Sequence, residues 1–193
     1  ADETHLNLLD IVKNKNYFVI TTNVDGRFEA ANFDKDRLFK VQGDFSLFQC
    51  STPCRQETFY NEKYIKEMIK RRKEMKIPSE LIPKCPYCKA NMSMNLRTDE
   101  TFVQDENWYK TKYKYKAFLN ESKDKNILFL ELGVGFNTPG IIKYPFWRMA
   151  LKNKNSIYAS INLKNVFSIP DLKERSICID DDISKVLKYI KSK

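Results

Sequence analysis

Four of the five cysteines in this chain stand in two close pairs, Cys50/Cys54 and Cys85/Cys88. Short loops bring the sulfurs of each pair together, and two such pairs can supply four thiolates to one tetrahedral zinc ion. No coordination position is then left open to water, so the ion would be structural and would contribute strongly to folding. Pro86 and Tyr87, inside the second pair, resemble a zinc knuckle turn. The competing reading, reduced cysteines that bind nothing, requires paired spacing to arise twice by accident. Cys178 stands alone in a strand-like segment and reads as a small core residue. Paired cysteines in a chain with no export signal point to metal rather than disulfides, and to a reducing compartment such as the cytoplasm.

With 193 residues, 42% of them hydrophobic and 13% aromatic, the chain can form a core as one domain or as one domain carrying a small inserted module. No apolar run approaches the ~20 residues that a membrane helix needs, so no membrane partner is expected. The opening residues, Ala1-Asp2-Glu3-Thr4-His5, read as the start of a helix, with His5 on its surface. The formal charge of +9 suits either a lysine-rich surface or affinity for an anion such as a dinucleotide or nucleic acid. The densest basic run, Lys70-Arg71-Arg72-Lys73, lies in a segment of helical periodicity and reads as a solvated helix face.

Helix and strand patterns alternate along most of the chain. Leu6 to Val12 gives an amphipathic helix ending near Lys15, and Tyr17 to Thr21 a buried strand stopping at the polar turn Asn23-Val24-Asp25-Gly26. Leu38 to Val41 is a second short strand, ending at Gln42-Gly43. From Phe48 to Trp108 the rhythm breaks: this stretch holds the paired cysteines, a basic helix from about Glu62 to Lys76, and Pro78, Pro83 and Pro86. A helix near Trp108 to Asn120 restores the alternation. Ile127 to Leu132 is almost wholly apolar, as in a parallel sheet covered on both faces, and runs into Gly133-Val134-Gly135. A helix through Leu151, strands at Ser156–Ile161 and Ser176–Ile179, and a last helix at Asp182–Ile190 complete the pattern. The pattern predicts an α/β fold with a doubly wound, Rossmann-like parallel sheet over 1–47 and 109–193 and an inserted zinc-binding module over 48–108. Turns at Asn23, Gln42, Gly133 and Asn162 all follow strands, where such sheets bind ligands.

These motifs carry a resemblance. Thr22-Asn23-Val24-Asp25 after a buried strand resembles the sirtuin Thr-Gln-Asn-Ile-Asp motif, and Gln42-Gly43 stands where sirtuins carry His-Gly. Gly133-Val134-Gly135-Phe136 stands where the family has Gly-Thr-Ser-Leu, and Ile161-Asn162-Leu163 resembles its Ile-Asn segment. The glutamine, Phe102-Val103-Gln104-Asp105 and Asn137-Thr138-Pro139-Gly140 are similar to the macrodomain-linked sirtuins of microbes. That resemblance implies NAD as substrate, structural zinc on Cys50, Cys54, Cys85 and Cys88, and transfer of ADP-ribose to an acceptor protein. The implied acceptor is a lipoylated carrier related to the glycine-cleavage carrier, with a macrodomain hydrolase as functional partner. It implies NAD contacts from Thr22, Asn23, Asp25, Gln42, Gly133, Val134, Gly135, Asn162, Leu163, Asp182 and Ile183. The family's Gly-rich loop, which cradles a pyrophosphate at a helix N-terminus, has no counterpart here, so the resemblance implies a chain lacking the N-terminal part of the fold.

In a sirtuin the histidine acts as a general base on a ribose hydroxyl, which requires a pKa near neutral. Gln42 can orient that hydroxyl by hydrogen bonding but cannot take its proton. Transfer to a carboxylate needs less help, because that nucleophile is already ionised at neutral pH. Asn23, Asp25 and Gln42 are therefore the candidate catalytic residues: Asn23 to position ribose or water, Asp25 to stabilise developing positive charge or hold the carboxamide. Asn and Asp are also ordinary turn formers, Gly133 and Gly135 could serve only tight packing, and Asp180-Asp181-Asp182 could be only a helix cap. An NAD-dependent lysine deacylase and a non-catalytic zinc module that binds nucleic acid are the alternatives. Nucleic acid is the disfavoured partner, since the only aromatic-basic interleaving, Trp108 to Lys116, also suits an amphipathic helix with its lysines outside.

Overall fold

The computed structural model describes residues 2–164 and 166–193; Ala1, the first residue of the expected helix start, and Asn165 lie outside the described residues. In chain order the elements are α1 (Glu3–Val12), β1 (Val19–Thr21), α2 (Arg27–Ala30), β2 (Leu38–Lys40), β3 (Gly43–Cys50), β4 (Thr58–Tyr60) and α3 (Glu62–Arg71). They continue with β5 (Met92–Leu96), α4 (Glu106–Glu121), β6 (Ile127–Leu132), α5 (Lys143–Lys152), β7 (Ser156–Asn162), β8 (Ser176–Asp180) and α6 (Ile183–Lys191). The chain divides into two compact units. One comprises Ala1–Ile20, Arg27–Leu38 and Lys114–Lys193, the other Thr21–Gly26 and Phe39–Tyr113.

The first unit is built on a parallel sheet of order β6-β7-β8. The apolar run of β6 packs on both faces beyond Leu128, which is exposed. Phe129 packs with Phe146, Trp147 and Ala150 of α5, Tyr158 of β7 and Leu172. Leu130 and Leu132 face the opposite way, onto Leu8 of α1, Ala31, Phe33 and Leu187 of α6. Asp2 caps α1 by accepting from the His5 N–H, and Asp182 caps α6 by accepting from the Lys185 N–H. His5 is not simply a surface residue: its Nδ1 lies 2.7 Å from Asp2 Oδ1 and its ring packs edge-on against Phe28.

One charged residue interrupts β6. Glu131 is 1% exposed and meets the ammonium of Lys143, at the first residue of α5, which is 0% exposed. The Tyr158 hydroxyl donates to Glu131 Oε2 at 3.0 Å and Ser160 Oγ to Oε1 at 3.1 Å, so the carboxylate is fully engaged. Burial and that carboxylate hold the Tyr158 hydroxyl above its ordinary range.

The second unit holds an antiparallel sheet of order β4-β3-β5. A bulge between Asp44 and Phe48 bends β3. Buried Gln49 accepts from the Val103 N–H at 2.9 Å and from Asn95 Nδ2 at 2.8 Å, while its own amide donates to the Thr101 carbonyl. The stretch Phe102 to Asp105 is thereby fastened to the sheet. Asp105 then accepts from the Trp108 N–H and starts α4.

Three local expectations change. The basic helix stops at Arg71, because Arg72 turns extended and Lys73 and Lys76 exchange backbone bonds across a tight turn. With no residue of α3 fully buried and cations crowded at its end, no packing favours another helical turn. Gly43 opens a long strand instead of closing a short one. Cys178 is exposed rather than core, because β8 lies at the edge of its sheet.

Replacing Lys143 by Met strands the Glu131 carboxylate in the core. Thermal or urea unfolding of Lys143→Met should show a loss of about 3 kcal/mol or more, and Glu131→Leu/Lys143→Met should recover most of it. A single variant as stable as the parent would show that the pair does not matter to the fold.

Candidate functional site

The four thiols converge at one end of the second unit. Their sulfur atoms all lie within 4.8 Å of one another, with Cys50 Sγ to Cys88 Sγ at 3.5 Å and Cys54 Sγ to Cys85 Sγ at 3.6 Å. A tetrahedral ion with metal–sulfur distances of about 2.3 Å needs sulfurs about 3.8 Å apart, so the cluster could hold one metal ion. Cys50 ends β3, and Cys85 opens a turn in which its own N–H donates to the Ala90 carbonyl and Lys89 takes a left-handed φ of 65°. Burial opposes ionisation of Cys50, yet the Cys54 N–H, the Thr52 hydroxyl and the Cys88 thiol outweigh it and hold its pKa at about 6. The Cys88 N–H likewise lowers Cys85, while burial and the neighbouring thiols push Cys54 up to about 12. A cation among them removes that conflict by favouring thiolate at all four.

Also in this unit are the residues that follow β1 and β2. The Val41 N–H donates to the Thr21 carbonyl and the Phe45 N–H to the Val24 carbonyl, so the turn Thr22–Asp25 and the segment carrying Gln42 lie side by side. Asn23 and Asp25 are exposed, Thr22 and Gln42 half-buried. The Asn23 N–H donates to Thr21 Oγ1 at 3.0 Å, which fixes the turn and leaves the Asn23 amide outward. The Gln42 carbonyl accepts from Arg97 N–H at 3.0 Å. Its side-chain amide makes no hydrogen bond to another described residue. Gly43 has φ +99°, and a Cβ there would overlap the Asn95 carbonyl oxygen, so the glycine beside Gln42 is required by the sheet.

In the first unit the ends of β6 and β7 gather a second group. Gly133 N–H donates to the Ile161 carbonyl, Asn162 Nδ2 reaches the Val134 carbonyl at 3.4 Å, and Ile183 lies against Gly133. Gly133 needs its positive φ of 66°. A Cβ on Gly135 would meet nothing within 4 Å, so packing does not demand that glycine. Leu163 is exposed beside Asn162, and Asp182, as the α6 cap, has one carboxylate oxygen committed to Lys185.

Sequence reasoning missed the cluster behind this rim. Phe136 and Phe167 stack with centroids 5.3 Å apart and planes 8° apart, and the Lys143 ammonium lies 5.2 Å from the Phe136 centroid. The only signal was Glu131 inside an otherwise apolar strand. Gln49 and Asn95, which anchor the Phe102–Asp105 stretch, gave none.

A parallel α/β unit joined in one chain to a tetrathiol module is a recognised architecture. The chain is similar to a Sir2 mutant solved with a p53 peptide and NAD, with TM-score 0.66 and 16% identity over 99% of this chain and 70% of that one. It is 40% identical over 187 residues to a protein ADP-ribosyltransferase of Staphylococcus aureus (strain Mu50), covering 96% of this chain and 59% of the relative. It is 27% identical over 184 residues to a probable bifunctional ADP-ribose hydrolase/ADP-ribosyltransferase of Fusarium oxysporum f. sp. cubense, covering 90% of this chain and 30% of that protein. The chain thus spans less than two thirds of either curated relative. No family model matches it. The chain therefore has a sirtuin-like fold and is similar in sequence to a protein ADP-ribosyltransferase.

Cys85→Ser should abolish metal retention and destabilise the second unit, read as metal per chain by elemental analysis and as a lowered melting temperature. Retention of a full equivalent of metal would remove Cys85 from the ligand set.

Proposed function

We propose that this chain is part of an NAD-dependent protein ADP-ribosyltransferase of the sirtuin type, with zinc on the four cysteines. The observation that carries this reading is Gln42, a non-titrating amide without a hydrogen-bond partner among the described residues, beside the exposed Asn23. The name of the Staphylococcus relative supports the activity, and the NAD bound to the Sir2 neighbour supports the substrate. The alternating rim Gly133–Gly135, Asn162–Leu163 and Asp182–Ile183 is assigned to the dinucleotide.

In the proposed reaction the bond from the anomeric carbon to nicotinamide breaks and a bond to an acceptor oxygen forms, with nicotinamide leaving. Positive charge develops at the anomeric carbon, where the Asp25 carboxylate stabilises it. Gln42 donates to and accepts from the ribose hydroxyls, and Asn23 positions the ribose or a water beside it. None of these steps removes a proton from the acceptor, which suits a carboxylate already ionised at neutral pH. A lysine deacylase would require the ribose hydroxyl to be deprotonated. The lone histidine, His5, is engaged with Asp2 in the first turn of α1. The proposed acceptor is a lipoylated carrier protein, with a macrodomain hydrolase reversing the modification and a reducing compartment, the cytoplasm, as the setting. The Fusarium relative, whose name joins a hydrolase to a transferase, supports that pairing.

The intact protein, NAD, a lipoylated carrier protein and an acyl-lysine peptide provide the test, read by intact mass. One ADP-ribose should appear on the carrier with the peptide unchanged. Gln42→Ala should slow transfer by about tenfold, the equivalent of one hydrogen bond of about 1.4 kcal/mol, with an unchanged melting temperature. Loss of the acyl group from the peptide would overturn the assignment of Gln42, and an unmodified carrier would overturn the assignment of acceptor.

A further inference from the structure

The longest excursion in the second unit, between Cys54 and Cys85, carries a surface that the proposed chemistry does not use. No residue of α3 is fully buried. Tyr64 and Ile69 are at least half exposed, Tyr60 just before the helix is 82% exposed and Met75 just after it 83%. Met75 sits with Glu74 at the tip of the turn closed by Lys73 and Lys76, with φ of 63° and 45°. Such turns normally hold Asn-Gly, because side-chained residues resist left-handed φ. A strained tip that displays a thioether to solvent does not serve the packing of its own unit, and strain of this kind gathers at working surfaces.

Charge surrounds these apolar side chains. Lys66 pairs with Glu62 and Arg71 with Glu80. Lys63, Lys70, Arg72, Lys73 and Lys76 make no side-chain ion pair with a described residue. Alongside α3 an open groove is lined by Tyr64, Leu81, Ile82 and Pro83, with Lys63, Lys84 and Glu67 at its edge and Glu80 paired to Arg71. Apolar anchors ringed by uncompensated cations match a protein surface on which carboxylates surround an apolar spot. A nucleic acid fits less well, because Glu62, Glu67 and Glu74 interrupt the cations and leave no continuous track for a phosphate chain, whereas separate carboxylates on a protein can meet the cations singly.

We infer that α3 and the turn after it form the docking surface for an acidic protein, which is the acceptor of ADP-ribose; the second clause rests on the function proposed above. The surface holds the acceptor through charge and through Met75 as an apolar anchor, while the reacting groups lie elsewhere in the chain.

The test compares the intact protein with Lys70→Glu/Arg72→Glu/Lys73→Glu and, separately, with Met75→Ser. Fluorescence anisotropy gives Kd for a labelled lipoyl carrier protein and for a short DNA duplex, each at low and physiological salt, with acceptor-free cleavage of NAD as control. Charge reversal should raise the carrier Kd by about tenfold or more, most at low salt, and Met75→Ser should weaken binding with little salt dependence. Melting temperature and NAD cleavage should be unchanged in both. A carrier bound equally by parent and reversed protein, or by neither, overturns the inference, as does a duplex that binds more tightly than the carrier through the same residues. A carrier bound through this face but never modified leaves the docking surface standing and defeats the transferase reading. A carrier modified at full rate by the reversed protein does the opposite.

Discussion

Convergence of Cys50, Cys54, Cys85 and Cys88 is the constraint on which the second unit depends. Its buried apolar residues are few, chiefly Phe39, Val41, Phe48 and Val103, and the remaining buried positions of this kind are Cys50 and Cys85 themselves. A sheet of that size does not bury enough surface to hold a long excursion in place. The thiols join the end of β3 to the start of the segment leading into β5, where the Ser51 N–H also donates to the Asn91 carbonyl. One metal ion held there would close the loop that carries β4, α3 and the strained turn, and would remove much of the conformational freedom of a segment that packs little by itself. The exposed basic face is possible for the same reason: a helix held from its ends need not bury its sides.

Buried polar groups do the equivalent work inside each unit. Gln49 and Asn95 meet across paired strands and together hold the backbone of Val103, whose side chain is buried. A register slip of one residue would turn both amides outward and leave the Val103 N–H unsatisfied. Glu131 acts similarly where β6, β7 and α5 meet. Lys143 stands at the N-terminus of α5, where the helix dipole disfavours a cation, and the carboxylate offsets that cost only in one arrangement. The same ammonium lies within about 6 Å of the Phe136, Trp147 and Phe167 rings, linking the chain after β6 to the chain after β7.

Periodicity and turn chemistry were enough to read the parallel sheet. The apolar run from Ile127 to Leu132, the strand at Ser156 and the Asp182 cap all stand where alternation and capping rules put them. The cysteine pairs were legible because ligand spacing is local. What escaped notice depends on several elements at once. The bulge in β3 follows from the strand it pairs with, the exposure of Cys178 from the position of β8 at a sheet edge, and the Lys143 pair from three elements meeting. Gly43 illustrates the limit: the Gln42-Gly43 resemblance singled it out beside a chemical residue, whereas its necessity comes from the Asn95 carbonyl on a strand far along the chain.

On the proposed reading, glutamine at position 42 moves the burden of selectivity. A site with a titrating base can activate a poor nucleophile, so positioning that nucleophile suffices to define the substrate. A site that only orients the ribose accepts whatever oxygen nucleophile reaches the anomeric carbon without needing to be deprotonated first, so that an ionised carboxylate competes with neutral water. Discrimination must then come from delivery, by raising the local concentration of one carboxylate above that of its competitors. On that reading a separate docking surface, cationic and apolar as α3 and its turn are, would provide that discrimination without adding a proton-transfer group. Such a division of labour also explains why a unit with so little core carries so long an exposed excursion.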